Sequence, residues 1–293
     1  MPVTCLVSAK SCGVTTAALA LTLACARPSL LAECDPAGGT IRAGLLRAQV
    51  NAGYGLHHLA AAERVGPAEL AQAFASHLVP LDGQAGHRRA LLGLTDPAQA
   101  AALARTWPAL SDVLHVMAQS ADHDVFVDAG RLTLDAGRLH AALTPAPLLH
   151  RADLVLLTVQ GTEQSLTLAR HLLGPLRAEL EERGTGAEAF GLLLIETGPY
   201  RAHQVTEALG SPVLATLPWD PGPAAYLTAG GHLPRGFARS RLLRHARTAA
   251  EQVKVFAARR QMHQRYPPPA HPHLTGLADI LDRPAPVRGA ARG

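Results

Sequence analysis

Ser8-Ala9-Lys10-Ser11-Cys12-Gly13-Val14-Thr15-Thr16 decides the fold. An apolar run at residues 3–7 precedes it and a helical pattern over residues 15–26 follows. A strand passing through a small-residue turn into a helix is the context that a phosphate-cradling loop requires. Laid on G-x-x-x-x-G-K-[ST], Gly13 and Thr15 match, whereas Ser8 stands for the first glycine and Val14 for the lysine. The amides of Ser11, Cys12, Gly13, Val14, Thr15 and Thr16 would still face an anion at the helix N-terminus, and the Thr15 hydroxyl can serve magnesium. The missing lysine removes a charge-assisted contact worth roughly 1.5–3 kcal/mol. Read alone, Gly13-Val-Thr-Thr also fits a plain strand-to-helix turn with a threonine cap.

Working outward, apolar β-rich runs recur at residues 30–34, 91–94, 125–127, 154–159, 190–195 and 213–217. Most are continuous rather than alternating, as strands covered on both faces of a parallel sheet read. Helical patterns over residues 97–119, 163–182 and 201–209 lie between them, so strand and helix alternate. The pattern predicts an α/β fold, a doubly wound, mostly parallel sheet with helices on both faces. Residues 43–89 have weaker periodicity and turn signals at Asn51-Ala-Gly and Asp82-Gly, and read as a mostly helical excursion off the sheet.

A last helix, residues 238–262, sets Leu242, Leu243, Ala246, Ala250, Val253 and Ala257 on one face. Arg241, Arg244, Arg247, Lys254, Arg259 and Arg260 fall elsewhere, which predicts a basic outer face and a candidate surface for non-specific DNA. The domain is therefore taken as residues 1–262. Residues 263–293, with Pro267-Pro-Pro, Pro272, Pro284 and Pro286, read as a disordered tail in which residues 274–281 offer a short protein-docking turn.

With 293 residues, 48% of them hydrophobic and 17% charged, the chain can bury one large core. Its 27 basic side chains exceed the 23 acidic ones by only four, too thin an excess to identify a nucleic-acid partner. Cys5, Cys12, Cys25 and Cys34 have no metal-like spacing and no later partners, which suits reduced thiols in a cytoplasmic protein. No apolar run reaches the length of a transmembrane segment, and no charged n-region precedes the first one. The 15 histidines form no His-x-x-x-His pair, and no G-x-S-x-G elbow supports a hydrolase triad.

Two further segments sharpen the reading of the loop. Leu30-Leu-Ala-Glu-Cys-Asp-Pro-Ala-Gly-Gly-Thr resembles the D-x-D-P-x-G segment after the second strand of MinD and ParA ATPases, and Asp124-Val-Phe-Val-Asp-Ala-Gly-Arg resembles their Walker B segment. The likeness extends over about residues 3–262, since Leu154-Val-Leu-Leu-Thr-Val-Gln-Gly-Thr-Glu and Pro212-Val-Leu-Ala-Thr-Leu-Pro-Trp-Asp-Pro are similar to later family segments. The wording of the second and third motifs is similar to divergent actinobacterial MinD-like chromosome-partitioning proteins with a degenerate Walker A.

The resemblance implies a SIMIBI-class P-loop fold that takes ATP and Mg2+. It places Asp35 at the carboxylate that orients the attacking water, and Thr15, Asp35 and Asp128 around the metal. Glu196, Pro218 and Asp220 fall near the base, where family members often have Asn in place of Glu196. Family members carry a signature lysine that reaches across a homodimer interface; Lys10 lies one residue from that position and is the candidate catalytic lysine. Two functions follow from the resemblance. One is a nucleotide-dependent positioning switch with weak or absent hydrolysis. The alternative is a non-catalytic pseudo-ATPase scaffold for a secretion, pilus or division machinery.

Overall fold

The computed structural model describes residues 1–83 and 87–265. The strands are β1 (Val3–Ser8), β2 (Ser29–Glu33), β3 (Leu78–Pro80), β4 (Arg88–Leu91), β5 (Asp124–Arg131), β6 (Leu134–Asp135), β7 (Arg138–Leu139), β8 (Leu154–Gln160), β9 (Phe190–Glu196) and β10 (Val213–Pro218). The helices are α1 (Val14–Ala24), α2 (Leu59–Val65), α3 (Pro67–Ser76), α4 (Thr106–Gln119), α5 (Ala146–Arg151), α6 (Glu163–Arg183), α7 (Ala202–Leu209), α8 (Pro221–Ala229) and α9 (Arg241–Arg265).

Eight strands form one sheet in the order β10-β9-β8-β1-β5-β2-β4-β3, all parallel except the β3–β4 pair, while β6 and β7 make a separate hairpin. Continuous apolar strands arise because each residue faces one of two cores. Val3, Cys5 and Val7 of β1 enter one apolar cluster with helices α4 to α7, and Leu6 enters the other with α1 and α9. Strands β5, β8 and β9 split in the same way, so the molecule is a three-layer sandwich. Helix α1 carries no charge and is buried along most of its length, which explains its Ala/Leu composition; each fully buried leucine contributes about 1.5–3 kcal/mol.

Strand order reverses at β1, with β5 and β2 on one side and β8, β9 and β10 on the other. In an open α/β sheet such a switch point opens a crevice beyond the carboxyl ends of the strands. The loop between β1 and α1 lies there.

Four features depart from the sequence reading. The excursion ends in β3 and the start of β4, so β4 begins at Arg88 rather than at Leu91. The Arg88 guanidinium is tied to the Leu23 and Cys25 carbonyls and to Asp82. The helical pattern over residues 97–119 divides into a 3-10 turn at Pro97–Leu103 and α4, because Pro108 suits only the first turn of a helix. Helices α5 and α8 and the β6–β7 hairpin lacked a periodic signal long enough to read.

The last correction concerns α9. Arg260 is buried, donating to the Asp153 and Thr185 carbonyls, and so does not belong to the basic outer face. Residues 263–265, read as the start of the tail, continue α9, and the rest of the Pro-rich tail with its docking turn lies outside the described residues. Among the described residues, no helix is long and apolar enough to cross a membrane.

Candidate functional site: the loop after β1 and its cleft

Gly13 caps α1 in the left-handed conformation, φ 84°, which glycine adopts without strain. No side chain caps the helix, so its first-turn amides are left to a ligand or solvent. Thr15 turns toward the end of β5, where its hydroxyl interacts with the Asp128 carboxyl. Val14 turns the other way and is buried in the α1–α9 core. Lys10 is exposed at the rim of a small recess that it shares with Gln160, Thr162 and Gln164.

The ends of β2 and β5 bring the predicted acids to this loop. Asp128 and Glu33 are paired in register, and both are buried. Asp128 Oδ1 accepts the Gly130 N–H at 3.0 Å, while Oδ2 is buried with no hydrogen-bond partner. Burial, then the charges of Glu33 and Asp35, push Asp128 up to about 7 against the pull of Thr15 and Gly130. Asp35 accepts the Ala37 N–H at 2.8 Å, and burial raises its pKa against the lowering influence of Arg131. Its carboxyl rests directly on Gly130, where any Cβ would collide with it and where φ is +69°. Glycine at 130 thus leaves room for the Asp35 carboxyl while its own N–H donates to Asp128.

Glu33 serves differently. Its Oε1 accepts Thr40 and Ile41 N–H groups at 2.6 and 2.9 Å, and Oε2 accepts Gly93 N–H at 2.8 Å. It ties the β2 loop to the end of β4. Burial raises its pKa against these three donors.

On the opposite side of the loop a cleft of about 640 Å³ runs from Cys12, Gly13 and Thr16 to Pro218, Trp219 and Asp220. Helix α8 forms its far wall, and the Thr16 and Thr228 hydroxyls meet across it at 3.2 Å. Ser11 also lines it. Glu196 instead faces Arg241 at 3.9 Å, outside the lining, and Asp220 accepts the Leu242 N–H at 3.1 Å. The predicted base residues are therefore committed within the protein or apolar. The structure adds Trp219, Gln160 and α8 to the site. The Asp220-Pro221 pair was the available signal for α8, since proline favours the first helical position.

The donor set fits a magnesium ion with a phosphate group: a threonine hydroxyl, two carboxylates, one buried acceptor without a donor, and uncapped helix amides. All four cysteines are free and buried, and burial raises the Cys5, Cys25 and Cys34 thiols.

No family model matches the chain, and no curated protein matches it. Solved structures do. The septum site-determining protein MinD of Pyrococcus horikoshii, complexed with Mg-ADP, is 18% identical with a TM-score of 0.63, over 88% of this chain and 98% of that one. The MinD cell division protein of Aquifex aeolicus is 16% identical with a TM-score of 0.61, over 87% and 98%. A ParA family ATPase of Chlorobium tepidum is 16% identical with a TM-score of 0.58, over 85% and 98%. At these identities the likeness establishes the fold alone, the one shared by these MinD and ParA structures.

Proposed function

We propose that this protein is a nucleotide-dependent switch of the MinD/ParA positioning type, which binds ATP with magnesium, hydrolyses it weakly or not at all, and acts in the cytoplasm as a homodimer. The observation that carries the reading is the convergence of Thr15, Asp35 and the partnerless Asp128 oxygen beside an uncapped helix and a cleft large enough for a nucleoside.

The phosphates are held by the amides of α1 and the loop. Thr15 and Asp128 would hold the ion, and Asp35 a water at the terminal phosphate. Magnesium bound there offsets the negative charge of the phosphates. Trp219 and the apolar wall of α8 receive the base by stacking and burial rather than by side-chain hydrogen bonds, because Glu196 and Asp220 already have partners. On this reading Lys10, which is exposed at the recess, would reach a second copy.

Calorimetry with ATP and ADP, with and without magnesium, tests the proposal, with Trp219 fluorescence as a second readout. Magnesium-dependent binding is expected. No binding of either nucleotide up to about 1 mM sinks it.

The pseudo-ATPase scaffold is favoured by one observation, the burial of Val14 where the lysine would stand. Nucleotide binding with neither phosphate release nor a change in oligomeric state would select it. DNA as a partner rests on α9, whose supply of free charge is smaller than its composition implies.

A further inference from the structure

Val14 leaves the loop one positive charge short, and the replacement need not come from the loop itself. The last pairing of β1 with β5 sets Arg131 beside Ser8, the first residue of the loop, and the Leu132 N–H donates to the Ser8 carbonyl at 2.9 Å. Arg131 immediately follows Gly130, on which the Asp35 carboxyl rests. Its side chain is exposed and makes no hydrogen bond or ion pair among the described residues. It lies beyond contact distance of Asp35, yet near enough for its charge to favour the Asp35 carboxylate. An arginine at the mouth of a site with two carboxylates, a partnerless buried oxygen and uncapped amides is poised for an anion with several oxygens, such as a phosphate.

We infer that Arg131 supplies, from the end of β5, the positive charge for the terminal phosphate of a bound nucleoside triphosphate that Val14 withholds. The inference rests on the nucleotide reading above. The terminal phosphate belongs between the loop and the acids, which is the side on which Arg131 stands. The nucleoside cleft lies on the other side and does not include Arg131. Arg131 therefore distinguishes ATP from ADP.

The test compares wild type with Arg131→Ala, and with Arg131→Lys as a variant that keeps the charge, in calorimetric titrations with Mg-ATP and Mg-ADP. Arg131→Ala is expected to weaken ATP about tenfold to a hundredfold and leave ADP within about twofold, with Arg131→Lys recovering most of the loss. Equal affinity of wild type and Arg131→Ala for ATP overturns the inference alone. Equal loss of ATP and ADP does the same, because it marks a structural role. If wild type binds neither nucleotide, the underlying reading falls with it.

Discussion

Glu33 and Asp128 stand side by side at the ends of β2 and β5, both carboxylates, both buried, and they have opposite hydrogen-bond balances. Glu33 accepts three backbone donors and organises the loop around it. Asp128 has one backbone donor and a buried oxygen with none. Burial acts against the charge of both groups, but only at Glu33 do the protein's own amides answer both oxygens. A satisfied buried acid holds the structure together, whereas an unsatisfied one is suited to a ligand.

The largest effect should come from the satisfied partner. Glu33→Ala strands the Thr40, Ile41 and Gly93 amides, each at about 1–3 kcal/mol if buried and unmade, and is expected to cost about 3 kcal/mol or more in denaturant unfolding. A cost below about 1 kcal/mol would erase the contrast between the two acids.

Asp128→Asn should move stability the other way. A carboxyl raised to about 7 in the fold, from 3.8 unfolded, destabilises the native state wherever it is ionised. The penalty is absent below about pH 4, grows as pH rises, and is complete above about 7. Asparagine removes it, so at pH 8 the variant is expected to be more stable by on the order of 2 kcal/mol, within the roughly 4 kcal/mol that such a shift represents. The gain should fade on acidification, and magnesium-dependent nucleotide binding should be lost. Equal stability of variant and wild type from pH 4 to 8 would remove the argument that Asp128 is an unsatisfied acid.

The smallest effect is expected on α9, where the same accounting of partners applies to cations. Arg241 faces Glu196, Arg247 donates to the Ala24 carbonyl, Lys254 pairs with Glu251 and Arg260 is buried. Of the six basic residues, Arg244 and Arg259 alone have no side-chain partner among the described residues. If α9 binds duplex DNA, affinity should fall with salt at a log-log slope of no more than about two, and Arg244→Ala/Arg259→Ala should abolish it. A steeper slope, or no response to the double variant, would place any DNA contact elsewhere.

The seven parallel strands, the loop and the three acidic positions were legible along the chain because each is a local pattern. Continuous apolar runs announce two-sided burial, and Gly13 and Thr15 keep a recognisable spacing. What escaped was short or dependent on contact. Helix α8 lacks a periodic apolar stripe, and β4 opens with two half-buried arginines, the first of which finds its partners in Leu23, Cys25 and Asp82. The cationic character of α9 was legible as composition, but not the pairing of Arg241 with Glu196 or the tying of Arg247 and Arg260 to the carbonyls of Ala24 and Asp153.

The sequence by itself determined the alternation of strand and helix, the loss of the loop lysine and the order in which the acids appear. Tertiary structure alone decided that Glu33 is fully hydrogen-bonded and Asp128 is not, that Glu196 turns to Arg241, that Val14 faces the core, and that Arg131 ends beside Ser8. The physical reason is one of range. Apolar periodicity and turn chemistry act over a few residues, whereas hydrogen-bond satisfaction and charge pairing depend on groups as much as 223 positions apart that only the packed fold brings together.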